Sequence, residues 1–474
     1  MAPSYHRRRM TDADSRFAPF AAKMEAAGLP RVAVDSFRHY YRQWAGGEAG
    51  LVPEAAIQPV DDLLDAADLA RHADAGRAAL ARAVVIKLNG GLGTSMGLAA
   101  AKSLLPAKDG LSFLEIIIRQ VLHLRRAYDC TLPLVLMNSF RTRADSQAAL
   151  ARHPELASEV PADFLQHKVP RIWAADGTPV AWPAAPEHEW CPPGHGDLYP
   201  ALLTSGLLET LLARDIRWAF VSNSDNLGAV LDPSILGWIA REEIPFVMEV
   251  AARTEADKKG GHLARGRDGR LLLREVAQCP KDELARFQDV ARHRWFNTNN
   301  LWIDLAALRR LLDERGGVLG LPMIANEKPV DPDDPGSPRV VQLETAMGAA
   351  IASFEGARAL RVPRGRLVPV KTTSDLLALW SDAYELADDQ RVVLSRRRTA
   401  GDLLVDLDPT HYRQVADLQA RFPDGAPSLL ACRRFVVRGD VRFERDVVAV
   451  GEVTVEQDGP GQRVVPAGTR LGTA

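Results

Sequence analysis

Cysteine is scarce in this chain of 474 residues, and the four present (Cys130, Cys191, Cys279, Cys432) stand far apart with no Cys-x-x-Cys pair. That excludes a disulfide framework, offers no zinc-binding spacing, and points to a reducing, cytoplasmic setting. No apolar run approaches the roughly 18 residues of a membrane span. The basic stretch His6-Arg7-Arg8-Arg9 has no apolar segment behind it, so it reads as a solvated tail rather than a signal peptide. An excess of one charge is missing too: the formal net charge is −2, which argues against a nucleic-acid-binding surface spread over the molecule. What remains is an ordinary soluble composition, 46% hydrophobic and 25% charged, in a chain long enough for two or three units.

Two common phosphate-binding motifs are also absent, and the stretch that comes nearest to them is the most informative in the chain. Val84-Val-Ile-Lys-Leu88 is a strand-type run that empties into a loop holding Gly90, Gly91, Gly93 and Gly97, with Lys102 just beyond. A Walker A loop would need its lysine directly after a glycine, whereas Lys102 follows Ala101. A dinucleotide fingerprint would need a third glycine where Met96 stands. Spacing alone leaves two possibilities, a phosphate loop of another type or a plain tight turn. A strand, a glycine loop and a following helix would let backbone N–H groups face an anion.

The stretch Leu88-Asn-Gly-Gly-Leu-Gly-Thr-Ser-Met-Gly97 with Lys102-Ser103 resembles the nucleotide-binding loop of UTP–glucose-1-phosphate uridylyltransferases (UDP-glucose pyrophosphorylases) of the eukaryotic type. The resemblance continues, in family order, through Pro133–Phe140, Pro192–Asp197, Phe220–Gly228, Phe246–Val250 with Lys259-Gly-Gly261, Phe296–Trp302, Gln342–Ala346 and Pro369–Asp375. It covers roughly residues 80 to 385.

The repeated strand–helix alternation over that span predicts an α/β protein with a mostly parallel sheet, whose ligands lie beyond the carboxyl ends of the strands. The resemblance implies a Rossmann-like, GT-A-like nucleotidyltransferase fold of mixed, mostly parallel strands. Three units are expected: a helical N-terminal layer (1–80), a catalytic domain (81–385), and a linker with a C-terminal β-helix domain (386–474). Helices are expected over Phe17–Ala27 and Val60–Ala81, Arg391–Arg398 as a linker or helix end, and fraying from Gly459 onward.

The implied reaction joins UTP and glucose 1-phosphate into UDP-glucose and pyrophosphate. Its demands are alignment of two anions and neutralisation of phosphate charge, met by lysines, backbone N–H groups and a divalent cation. By resemblance, Lys102 and Lys371 are catalytic and contact the UTP phosphates, although a lone lysine such as Lys371 would otherwise be read as solvated. Leu88, Asn89, Gly90, Gly91 and Gly194 lie near the nucleotide, and Gln166 reads the uracil edge, to which an amide can both donate and accept. Asp225 would hold Mg²⁺, a hard ion suited to a carboxylate; without the resemblance, an Asp after a strand is more often a cap. His195 and Asn223 would meet the sugar phosphate, and Asn297, Thr298 and Asn299 the sugar hydroxyls. His195, between two glycines, is expected to be exposed, and it is not needed as a base because a phosphate nucleophile is already ionised.

The chain departs from the family pattern at Gly97-Leu-Ala-Ala-Ala-Lys102, where a lysine and a Gly-Pro pair are missing, at Ser224, in place of an apolar residue, and at His167, in place of a serine. The alternatives are a pyrophosphorylase for another sugar 1-phosphate and an inactive UTP-binding regulatory protein. Ser95-Met96 argues against N-acetylhexosamine substrates, whose enzymes carry an arginine in this loop. The charge balance and the lack of a long apolar run point to no nucleic-acid or membrane partner, and the edges of the C-terminal β-helix could pair two copies of the chain.

Overall fold

Alternate residues of Ala83–Asn89 (β1) enter two different cores, Ala83 and Val85 on one side and Val84 and Ile86 on the other. A strand that is apolar on both faces belongs in the middle of a sheet covered twice, and β1 lies there. The computed structural model of the chain describes residues 3–48, 50–93, 96–98 and 100–473, with side chains from residue 15. Ser95 and the side chains of the basic tail therefore lie outside the described residues.

Within the described residues the central sheet has eleven strands, among them Leu134–Asn138 (β2), Asp163–Leu165 (β3), Trp218–Asn223 (β4), Phe246–Ala252 (β5), Trp295–Asp304 (β6) and Arg358–Arg361 (β7). Across the sheet the order is Leu64–Asp65, β7, β5, β6, β4, β1, β2, β3. Every neighbouring pair in that order is parallel except the two made by β6. The fold is thus mixed α/β with a large, mostly parallel sheet, as expected. Asn223, Leu88 and Met137 stand side by side across β4, β1 and β2, so the loops after these strands open at one edge.

The N-terminal layer is Pro3–Ala26 (α1) and Arg31–Ala45 (α2). Phe17, Phe20, Phe37 and Tyr41 pack together and onto Val341 and Leu343 of a small sheet formed by Met323–Pro329, Arg339–Thr345 and Ile172–Trp173. The helix expected over Val60–Ala81 is broken. Leu64–Asp65 is a strand, Ala66–His72 is 3₁₀, and only Ala73–Ala79 is α-helical. The reason is backbone contact: a Cβ on Gly76 would lie 1.7 Å from the Pro233 carbonyl oxygen, so tertiary packing sets this segment's path.

Phe113–Tyr128 (α3), started by a Ser112–Glu115 capping box, covers one face of the sheet, and Leu198–Thr204 (α4) covers the other. Pro233–Arg241 (α5) joins α3 on its side.

Arg391–Arg398 is neither linker nor helix end, because Val392–Leu394 pairs with Tyr384–Leu386. Beyond it lie Leu404–Leu407 (β8), Ser428–Arg438 (β9), Val441–Phe443 (β10), Val448–Glu456 (β11), Arg463–Val465 (β12) and Arg470–Leu471 (β13). They form two sheets paired only in parallel, β8-β9-β11-β13 and β10-β12. The expected fraying after Gly459 does not occur, because β12 and β13 dock on β10 and β11. Phe435, Phe443 and Val465 belong to the same continuous core as Phe113, Ile117 and Leu377. Among the described residues no helix is long and apolar enough to cross a membrane.

Candidate active site

The loops after β1 and β4 and the segment after β7 meet at the carboxyl edge of the sheet, and Asp225 is their meeting point. One carboxylate oxygen, Oδ2, accepts from Lys102 Nζ at 3.0 Å and from Lys371 Nζ at 2.9 Å. Its other oxygen, Oδ1, is buried with no partner among the described residues. Burial alone would raise the Asp225 pKa; the charges of Lys371 and Lys102 outweigh it and hold the carboxyl below its usual range.

Lys102 is fixed by its backbone N–H to Gly91 O at 3.1 Å and by its ammonium to the Val370 carbonyl. It does not start a helix. It opens a single 3₁₀ turn, Lys102–Leu104, and the next helix, α3, begins only at Phe113 after a short hairpin. The loop therefore offers a lysine and its own N–H groups rather than a helix N-terminus.

Lys371 precedes Thr373–Trp380 (α6), whose Thr372–Asp375 capping box uses Asp375 Oδ2 to accept from the backbone N–H of Lys371 at 2.8 Å. The segment leading to Lys371 is held from beneath. Arg366 forms a two-pronged pair with Glu249 at 2.6 and 2.8 Å, and both side chains are buried in the sheet. Asn300 and Trp302 donate to the same carboxylate. Asn226 then links the layers, donating to Arg366 O and accepting from the Val368 N–H. Lys87 lies under the Asp225 turn, its Nζ donating to Ser222 Oγ at 2.7 Å and Ala229 O at 2.8 Å. Burial pushes its pKa down to about 7.

On the other side of the loop, a Cβ on Gly90 would lie 2.6 Å from Gln166 Oε1, so only glycine lets the Gln166 amide sit against this strand end. Leu88 is half-buried. Asn89 is buried, and its amide N–H groups donate to Asn138 Oδ1 and Ser146 Oγ, which ties β1 to β2.

The Pro193-Gly194-His195-Gly196-Asp197 segment is partly regular. His195–Asp197 is a 3₁₀ turn that leads into α4. Gly194 has φ +80°, and a Cβ there would lie 2.4 Å from Thr345 O, so no other residue fits. His195 is half-buried rather than exposed. Its Nδ1 accepts from the Met347 N–H at 3.0 Å, which leaves Nε2 to carry the proton. Burial, with the nearby Lys371 charge, lowers its pKa to about 4. It is a neutral donor at pH 7.

Asn223 ends β4, half-buried, beside the Asp225 turn. Asn297, Thr298 and Asn299 lie at an irregularity where β5 and β6 slip register between Met248 and Val250. Asn299 adopts φ +57°, clasped with Asn297 through two 3.0 Å hydrogen bonds. Thr298 is buried, and its hydroxyl donates to the Glu249 carbonyl at 2.7 Å, which makes it a support rather than a surface group.

Sequence reasoning passed over Glu275. Its carboxylate occupies the space a Cβ on Gly261 would take, at 2.6 Å, and Gly261 O accepts from the Asn297 N–H. Burial raises its pKa to about 6. It also passed over Lys87, Glu249 and Arg366. The first two carried a signal, a charged residue inside an otherwise apolar strand, which must be paired where it is buried.

No cluster of three metal-ligating side chains occurs among the described residues. A divalent cation here would have one protein oxygen, the unpartnered Asp225 Oδ1. That fits Mg²⁺, which takes one or two carboxylates and fills the rest of its shell with water and phosphate.

The family model described as UTP–glucose-1-phosphate uridylyltransferase matches residues 34–449. A UTP–glucose-1-phosphate uridylyltransferase of Hordeum vulgare is 39% identical over 435 residues, 90% of each chain. A UDP-glucose pyrophosphorylase of Leishmania major, solved in complex with UDP-glucose, is 45% identical with a TM-score of 0.90, over 96% of this chain and 98% of that one. A Trypanosoma brucei structure titled UDP-glucose phosphorylase is 42% identical with a TM-score of 0.89, over 96% and 98%.

Proposed function

This chain belongs to the UTP–glucose-1-phosphate uridylyltransferase family, and from that premise we propose that it forms UDP-glucose and pyrophosphate from UTP and glucose 1-phosphate. The observation that carries the mechanism is the convergence of Lys102 and Lys371, from distant segments, on one carboxylate at the edge of the parallel strands.

A phosphate oxygen of the sugar attacks the α-phosphorus of UTP, and pyrophosphate leaves in line. Lys102 and Lys371 neutralise charge on the α-phosphate and the leaving group. With UTP bound they would exchange Asp225 for phosphate oxygens, and Asp225, through Oδ1, would hold Mg²⁺. The cation, when bound, supplies further charge neutralisation across the phosphates. The backbone of Leu88 to Gly91 and of Gly194 lines the nucleotide, and Gln166 reads uracil. His195 donates from Nε2 to the sugar phosphate beside Asn223, and it neither gives nor takes a proton. Asn297, Asn299 and Glu275 face the sugar hydroxyls, with Thr298 beneath them.

The same proposal covers the architecture. Residues 1–80, 81–385 and 386–474 are taken as three units, the last as a linker and a β-helix supported by the exclusively parallel pairing of β8 to β13. Leu404, exposed on the edge strand β8, supports pairing of two copies there. The free cysteines support a cytoplasmic setting.

The test is pyrophosphate release from UTP and Mg²⁺ with a panel of sugar 1-phosphates. Release with glucose 1-phosphate well above galactose, N-acetylglucosamine and glucuronate 1-phosphates is expected. Release mainly with another sugar would reassign the substrate. None with any sugar, despite UTP binding, would make the chain a binding protein.

A further inference from the structure

His167 follows Gln166 directly and clasps both ends of α4. Asp197, just before that helix, accepts from the His167 backbone N–H at 2.6 Å and from its ring Nδ1 at 2.9 Å. An acceptor-only carboxylate fixes the proton on Nδ1. Nε2 pairs at 2.9 Å with the hydroxyl of Thr204, the last residue of the helix. His167 and Asp197 are both buried.

Two segments on the nucleotide side of the site are thereby locked to each other. One is the strand end carrying Gln166, whose N–H donates to Asn138 O at 2.8 Å. The other is the turn carrying Gly194 and His195. No other side-chain hydrogen bond joins these two segments among the described residues.

We propose that His167 is a positioning residue for base recognition: it holds the Gln166 amide in register with the Gly194–Asp197 turn, so that binding of the uracil ring depends on it. This rests on the assignment of Gln166 as the uracil reader. Asp197 is held by two donors from one residue, one of them a side chain. Losing the ring leaves Oδ1 of a buried carboxylate without its partner while the backbone bond remains. A cavity of about 30 Å³ lined by His167, Asp197, Tyr40 and Thr345 has room for about one or two waters. Water entering there can satisfy Asp197, so a truncated variant folds, but water cannot restore the register of residue 166.

The test compares His167→Ala, His167→Asn and Gln166→Ala by steady-state kinetics with UTP, CTP and glucose 1-phosphate, alongside thermal denaturation. In His167→Ala, KM for UTP is expected to rise about fivefold to tenfold. KM for glucose 1-phosphate should move less than about twofold, and the preference for UTP over CTP should narrow. His167→Asn keeps an N–H donor for Asp197 and should recover most of the loss. A fall in Tm with unchanged KM and preference, or an equal rise in both KM values, would overturn the proposal. A preference that falls in Gln166→Ala but holds in His167→Ala overturns it alone. A preference unmoved in Gln166→Ala overturns the uracil assignment and the proposal with it.

Discussion

Asp225 joins two lysines without balancing them, since one carboxylate faces two ammonium groups. The surplus positive charge is what a polyphosphate would meet. Lys371 is the more exposed of the two, with 57% of its side chain accessible against 14% for Lys102, so it has the freedom to follow a leaving pyrophosphate. Lys371→Ala should lower kcat by about 100-fold or more, as when one electrostatic partner of a transition state is lost. Stopped assays of pyrophosphate release would show it, and near wild-type turnover would contradict the lysine's role. Asp225→Asn tests the metal side. It keeps the shape but removes the charge, so a higher Mg²⁺ concentration should be needed for half-maximal rate.

At the scale of elements, Glu249 and Arg366 join β5 to the segment that carries Lys371. Removing one partner of a buried, fully hydrogen-bonded pair typically costs about 3–5 kcal/mol. Glu249→Ala should therefore lower the Tm by several degrees and reduce activity through Lys371, readable by calorimetry beside kinetics. Gly194→Ala should act by a different route, through backbone strain of about 1–3 kcal/mol and a clash with Thr345 O.

The central sheet was legible because its strands are apolar on both faces and its helices start at clear signals, Ser112–Glu115 for α3 and Asp232-Pro233 for α5. The glycine loop stood out by its own glycines after an apolar strand, and the resemblance singled out Asp225 and Lys371. What escaped was set by tertiary contact. Periodicity over Val60–Ala81 suggested a helix, but close backbone packing at Gly76 broke it. Arg31–Ala45 carried its apolar stripe in plain view, with Val34, Phe37 and Tyr41 at helical spacing, and was not picked out. Thr298 and Asn89 share their neighbours' polarity, and nothing in a linear sequence shows that their hydrogen bonds turn inward. Glu275 reaches the site area through its contact with Gly261, across the fold.

At the scale of the molecule, two stacked histidines deep beside β6 contribute to the response to acid. His262 and His293 rings lie 3.9 Å apart, both nearly inaccessible. Burial, with the neighbouring His293, pushes the His262 pKa down to about 2. His293 is lowered as well, by burial first, against the pull of Glu54. The folded pKa of His262 lies below the unfolded value of 6.5, so as pH falls through 6.5 the unfolded chain takes up a proton that the folded chain refuses. Its contribution is fully present above about pH 6.5 and declines below it, by about 2 kcal/mol per such histidine at pH 5. Thermal scans from pH 7 to 5 should show Tm falling, and His262→Gln should flatten the slope.

The core that begins under α3 does not stop where the parallel C-terminal sheets begin. Tyr412 O accepts from Thr373 Oγ1 at 2.5 Å at the start of α6, and Gln414 packs where a Cβ on Gly97 would lie 3.1 Å away. The C-terminal segment therefore shares one hydrophobic interior with the segments that carry Gly97 and Thr373. Such continuity makes the chain one cooperative folding unit: melting should be a single calorimetric peak, and a chain ending at residue 386 should expose apolar surface and aggregate rather than persist as a smaller enzyme.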